Sequence, residues 1–176
     1  MTDDLSQELQ NLRDRTPFTG WMTVSALVIA FDQLTKWAIV KWVPLYDKIE
    51  VISFVNITHQ TNSGAAFSFL AGASGWQRWF FIALALAVSA AIVVWLWRLR
   101  RSAHVVLALG LALVLGGALG NVIDRIRTGH VVDFVQVLIM GWPFPSFNVA
   151  DSAITVGAVL LMVDALFLSG RQQTIV

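Results

Sequence analysis

The chain has 176 residues, 57% of them hydrophobic and only 13% charged, with a mean hydropathy of +0.70. A soluble domain carries about 25% charged residues, so this composition points to lipid as the solvent for much of the chain. A net charge of +1 leaves no footprint for nucleic acid, and the absence of cysteine excludes a disulfide frame, a thiolate metal site and a cysteine nucleophile.

Residues 1–17, MTDDLSQELQNLRDRTP, are polar and mixed in charge. They lack the basic start of a secretory signal, and the apolar run behind them is as long as a full span. This predicts an N-terminal tail, flexible or an interfacial helix, followed by an uncleaved first helix. At 1.5 Å per residue, about 20 residues cross a hydrocarbon core of about 30 Å. Four stretches qualify, at about 20–41, 77–98, 104–124 and 149–169. The second and third hold uncharged runs, WFFIALALAVSAAIVVWLW (79–97) and VVLALGLALVLGGALGNVI (105–123). The first contains Asp32 and Lys36; the fourth contains Asp164 well beyond Asp151 at its start. Gly116 and Gly120 form a GxxxG in the third span, which suits close packing inside one bundle.

Between the first two spans, KIEVISFVNIT (48–58) is rich in β-branched residues and TNSG (61–64) follows as a turn signal. This predicts a strand pair outside the membrane, within a β platform at about 45–70. The expected fold is a mainly α membrane protein. Four transmembrane helices carry a small extracytoplasmic β-sheet platform and a short interfacial loop or helix. One membrane domain (18–170) lies between the polar N-terminal tail and a C-terminal tail (171–176).

Tryptophan favours the membrane interface, and all eight lie near expected span ends. Trp21, Trp95 and Trp97 mark one interface; Trp37, Trp42, Trp76, Trp79 and Trp142 mark the other. Basic residues divide evenly between the two sides. The short loop RLRRSA (98–103) carries three Arg and no acid, which places it and both termini in the cytoplasm.

That topology gathers the polar residues at the outer leaflet. Asn62 lies in the first extracytoplasmic loop, Asn121, Asp124 and Arg125 at the end of span three, and His130 and Asp133 in the second loop. Asn148 and Asp151 begin span four, and Asp32 lies toward the same face of span one. An ionised carboxylate at the bilayer centre costs about 2.5–3.5 kcal/mol on insertion scales, so intramembrane acids are functional candidates. Each also has a structural reading. Asp32 and Lys36, four residues apart on a helix, can neutralise each other. Asp124 and Arg125 can form an ion pair or helix-end cap. Asn148 can cap span four, orient Asp151, or do both. Asp164, about 20 Å further along, is read as structural.

No HExxH zinc motif, GxSxG elbow or phosphate-binding GxxxxGK[ST] loop is present, and the three His have no metal-ligand spacing. Two close carboxylates in a low dielectric share one proton, which permits an aspartyl mechanism. The rivals are a proton-coupled transporter, in which such acids relay protons, and a non-catalytic membrane scaffold.

The blocks FDQLTK (31–36), NSGAAFSF (62–69), GGALGNVIDR (116–125), GHVVDF (129–134) and FNVADSAITVG (147–157) resemble bacterial lipoprotein signal peptidase, in the family's order and spacing. The resemblance implies an integral aspartic endopeptidase of the bacterial inner membrane. It cuts the signal peptide from diacylglyceryl-modified prolipoproteins just before the lipidated cysteine. The implied catalytic pair is Asp133 and Asp151. Asn62, Asn121, Asn148, Arg125 and Asp124 orient substrate and dyad, and Asp32 and Lys36 are structural. The resemblance also implies a monomer in contact with membrane lipids, without metal, organic cofactor or nucleic acid, and inhibition by globomycin. Phe67 and GWPFP (141–145) are expected to shape the entrance.

Overall fold

The computed structural model describes residues 17–64, 75–99 and 104–168. Helix α1 spans Phe18–Trp42, strands β1 and β2 span Lys48–Ile52 and Val55–Asn62, and helices α2 and α3 span Trp76–Leu99 and Val105–Thr128. Strands β3 (Val131–Ile139) and β4 (Trp142–Pro143) follow, then helix α4 (Val149–Val163), which continues as a π-helical turn over Asp164–Leu168.

All four helices, α4 counted with its π turn, are long and apolar enough to cross a bilayer. Helix α3 is the hub: 56% of its most apolar stretch is buried within the protein, against 17%, 22% and 17% for α1, α2 and α4. The outer faces of the other three present large apolar side chains, among them Leu27, Phe31 and Leu34 on α1, Leu84 and Trp95 on α2, and Val156, Val159 and Met162 on α4. An apolar surface this extensive needs lipid to solvate it.

The bundle has two chemically different ends. Where α2 finishes and α3 starts, Ile92, Leu96, Ala108, Leu111 and Leu115 form a closed apolar core with Phe18, Trp21 and Met22. At the other end of α3, the buried residues include the polar Asn121 and Asp124, and α1 supplies the buried Asp32 and Lys36. Small residues let these elements approach. The GxxxG packs within the bundle as expected: a Cβ on Gly116 would meet Val28 Cβ at 2.7 Å, and one on Gly120 would meet Asp32 Oδ2 at 2.8 Å. Gly117 lies directly against the Ala150 carbonyl oxygen of α4.

The four strands form one antiparallel sheet in the order β1-β2-β3-β4. The expected strand pair at 48–58 is present, but β2 runs on through Asn62, so the turn begins later than TNSG suggests. The larger difference is β3. Residues 131–139, expected as a loop, pair with β2 so that Asn62 faces Val131, Gln60 faces Asp133 and Val55 faces Val137. Five β-branched residues in VVDFVQVLI suit the pleated surface. Helix α3 continues past the expected end at 124 to Thr128 and stops at Gly129, whose φ of 87° is a left-handed C-cap. Arg78 of α2 donates to the freed Ile126 carbonyl at 2.9 Å. The N-terminal tail, Phe67, most of the RLRRSA loop and the C-terminal tail lie outside the described residues.

The α3–α4 contact is tight enough to test. We expect Gly117→Ala to lower the midpoint of thermal unfolding in detergent, by about 1–3 kcal/mol of overpacking. Gly20→Ala, whose Cβ meets only Pro17 Cγ at 3.4 Å, should leave it unchanged.

Candidate active site

Two layers of polar residues build the site. The deeper layer is ionic. Lys36 Nζ lies 2.8 Å from both Asp32 Oδ2 and Asp124 Oδ2. Asp32 and Lys36 therefore neutralise each other as expected, with Asp124 as a second counter-ion. The expected Asp124–Arg125 pair does not form. Adjacent helix residues point about 100° apart, so Asp124 faces α1 while Arg125 turns the other way. Arg125 donates to Gly64 O at 2.9 Å and its guanidinium lies 5.2 Å from the Phe81 ring centroid.

This layer reaches outward through the backbone. Asp32 Oδ1 accepts from the Ala150 N–H at 2.9 Å, in the first turn of α4. Asp124 Oδ2 accepts from the Val132 N–H at 3.4 Å, next to Asp133. Two acids thus anchor the segments that carry the two candidate catalytic residues. Gln33 joins them, donating through Nε2 to Asp124 Oδ1 at 2.8 Å, Gly120 O at 3.2 Å and Asp32 Oδ2 at 3.3 Å. Sequence reasoning passed over Gln33. Its signal was a neutral amide inside an apolar span, which needs partners there as a charge does.

The upper layer is built of amides and carboxylates. Asn148 is the N-cap of α4: its Oδ1 accepts from the Asp151 N–H at 2.9 Å while Asp151 Oδ2 accepts from the Asn148 N–H at 3.3 Å, a reciprocal capping box. The same side chain donates through Nδ2 to Asp133 Oδ1 at 2.7 Å. The cap expected of Asn148 is present and ties it to Asp151, while its amide NH2 goes to Asp133 rather than to the Asp151 carboxylate. Asn62 Nδ2 donates to the other Asp133 oxygen at 3.2 Å. Asn121 Nδ2 donates to Asp151 Oδ1 at 2.8 Å and its Oδ1 accepts from Lys36 at 3.0 Å, linking the layers.

Asp133 is only 4% exposed. Burial pushes its carboxyl up to about 7, and the neighbouring negative charge of Asp151 adds to the rise. Hydrogen bonds from Asn62 and Asn148 and the charge of Lys36 act in the opposite direction without cancelling it.

Asp133 and Asp151 open into one cavity of about 960 Å³. Of the nine polar residues that the family resemblance marks, Asn62, Asn121, Arg125, Asp133 and Asp151 line it. Asp32, Lys36, Asp124 and Asn148 are buried behind it. The rest of the wall is largely apolar, including Val131, Phe144, Phe147 and Ile154. Phe144 and Pro145 of GWPFP do shape this wall. Asp164 is buried at the far end of α4, remote from the cavity.

The double role of Asn148 separates stability from chemistry. Asn148→Ala loses the cap, which costs about 1 kcal/mol or more. Asn148→Ser keeps a capping oxygen but not the reach to Asp133. We expect Ser to recover most of the thermal midpoint lost with Ala, while catalytic activity stays low in both variants.

Comparison with known proteins gives the family. The family model described as signal peptidase (SPase) II matches residues 24–167. A lipoprotein signal peptidase of Pseudomonas fluorescens is 52% identical over 158 residues, covering 89% of this chain and 92% of the relative. One from Acinetobacter baumannii is 51% identical over 152 residues, covering 86% of each. Among solved structures, a bacterial membrane enzyme determined by the in meso method at 2.3 Å resolution superposes with a TM-score of 0.78 and 35% identity, covering 90% of this chain and 94% of that one. The chain belongs to the signal peptidase II family and is a membrane-embedded peptidase.

Proposed function

We propose that this enzyme removes signal peptides from diacylglyceryl-modified prolipoproteins by an aspartic mechanism, cutting before the lipidated cysteine, with Asp133 and Asp151 as the catalytic pair. The observation that carries this reading is the shared cavity. Two carboxylates from different elements, β3 and α4, line it, each held by asparagine amides. The names of the relatives supply the substrate class.

The pair holds one proton, and Asp133, pushed up to about 7, is its site. The ionised Asp151 takes a proton from water as the water oxygen attacks the scissile carbonyl. Protonated Asp133 donates a hydrogen bond to the oxyanion that forms. Collapse breaks the C–N bond, and the proton taken up by Asp151 passes to the leaving amine. Asn62 and Asn121 hold the two carboxylates, and Arg125 faces the substrate backbone from the cavity wall. No step needs a metal or organic cofactor.

The reading places the enzyme in the bacterial inner membrane with both termini cytoplasmic and the cavity at the outer leaflet, where a lipid-anchored substrate arrives. The substrate's acyl chains lie against lipid-facing surface and its lipidated segment enters between the apolar cavity walls. Globomycin is expected to block the same cavity. All the polar groups come from one chain, so a monomer suffices. A proton-coupled transporter is not favoured, because the matching family is one of peptidases.

Two outcomes are expected. Asp133→Asn and Asp151→Asn, purified as monodisperse folded protein, should each reduce cleavage of a diacylated prolipoprotein by at least about a thousandfold; full processing by either would remove that residue from the chemistry. The sign of the pH dependence follows from Asp133, which is protonated below about 7 and loses its proton above it. Asp151, Lys36 and Arg125 are the charges that face it. Rate should therefore fall on the alkaline side, by about tenfold per pH unit, measured in the gel assay across that range.

A further inference from the structure

Lys36 is 3% exposed and does not reach the cavity, yet it contacts a residue that does. An ammonium carries three protons and no lone pair. Three oxygens surround this one: Asp32 Oδ2 at 2.8 Å, Asp124 Oδ2 at 2.8 Å and Asn121 Oδ1 at 3.0 Å. Gln33 Nε2, 2.8 Å from Asp124 Oδ1, keeps the opposite edge of that carboxylate engaged. A rotated Asn121 amide would press its N–H groups against the ammonium. Asn148 Nδ2, also a donor, approaches the same Asn121 oxygen at 3.4 Å. Two donors behind the amide thus permit one orientation, with the NH2 group toward the cavity and 2.8 Å from Asp151 Oδ1.

We infer that Lys36 is a positioning residue that acts through Asn121, setting the polarity of its amide so that Asp151 meets a hydrogen-bond donor and never a lone pair. This rests on the reading of Asp133 and Asp151 as the catalytic pair. It assigns Lys36 a function beyond neutralising Asp32 and Asp124. Without it only the longer Asn148 contact at 3.4 Å still favours that sense. When Oδ1 faces Asp151, two lone pairs oppose each other unless the acid takes up a proton, and the pair loses its ionised member.

The test is a double-variant cycle of Lys36→Met and Asn121→Ala, read as kcat, KM and the kcat–pH profile. Lys36→Met alone is expected to lower kcat by about tenfold or more, leave KM within about twofold and move the acid limb of the profile to higher pH. In the Asn121→Ala background the same change should add nothing to the loss of kcat and should not move the limb further. A through-space counter-ion would act equally in both backgrounds, so additive effects would overturn the inference. If Lys36→Met does not purify as folded protein, Lys36→Gln enters the same cycle with the same readings. Asp133→Asn and Asp151→Asn are assayed in parallel. Full activity in either sinks the catalytic-pair reading, whereas loss in both with an additive cycle sinks only the role of Lys36.

Discussion

A lysine ammonium held inside a membrane bundle sets the terms for everything around it. Burying a charge is tolerable only when it is paired and hydrogen-bonded, and breaking such a pair costs about 3–5 kcal/mol. Lys36 meets this demand with Asp32, Asp124 and Asn121, which come from α1 and α3. The oxygens turned away from Lys36 accept from the Ala150 N–H of α4 (Asp32 Oδ1) and the amide of Gln33 (Asp124 Oδ1), and Asp124 Oδ2 accepts from the Val132 N–H of β3 as well as pairing with Lys36. One ion cluster thereby locks three helices and a strand in mutual register. The small residues of α3 allow it, since a side chain at Gly120 would occupy the place of Asp32.

The upper layer inherits its geometry from this floor. Asp133 sits one residue beyond the Val132 amide, and Asp151 one residue beyond the Ala150 amide, that the buried acids hold. Neither catalytic candidate lies on a free loop. Asp133 is on a strand paired to β2, and Asp151 is inside a capping box. Positions set by rigid elements suit the proposed reaction, in which two carboxylates share a proton. The open side of the site is different: a cavity whose wall includes Phe144, Phe147 and Ile154.

The four spans were legible because about 20 apolar residues leave little alternative to a membrane helix, and the structure places helices at all four. The cap at Asn148 was legible as well, since an N-cap and its partner three residues on are local relations, whereas its bond to Asp133 depends on where β3 lies. Strand β3 was not. VVDFVQVLI is an apolar run between two glycine-bearing turns, and what makes it a strand is pairing with β2, about seventy residues earlier in the chain. The partner of Asp124 was hidden for the same reason. Sequence offered adjacent Arg125, whereas the true partner, Lys36, is brought there by the register of α1 against α3. Gln33 was overlooked because it carries no charge, although it touches both buried acids.

The central claim is that the fold keeps a proton on Asp133 near neutral pH while its neighbour stays available to water. Infrared difference spectroscopy of the detergent-solubilised enzyme tests this directly, following the carbonyl stretch of a protonated carboxyl as pH rises, with Asp133→Asn as the blank. The account predicts one carboxyl band that disappears with a midpoint near 7 and is absent from the variant. A wild type with no such band at mildly acidic pH, or one whose band survives in Asp133→Asn, would contradict it.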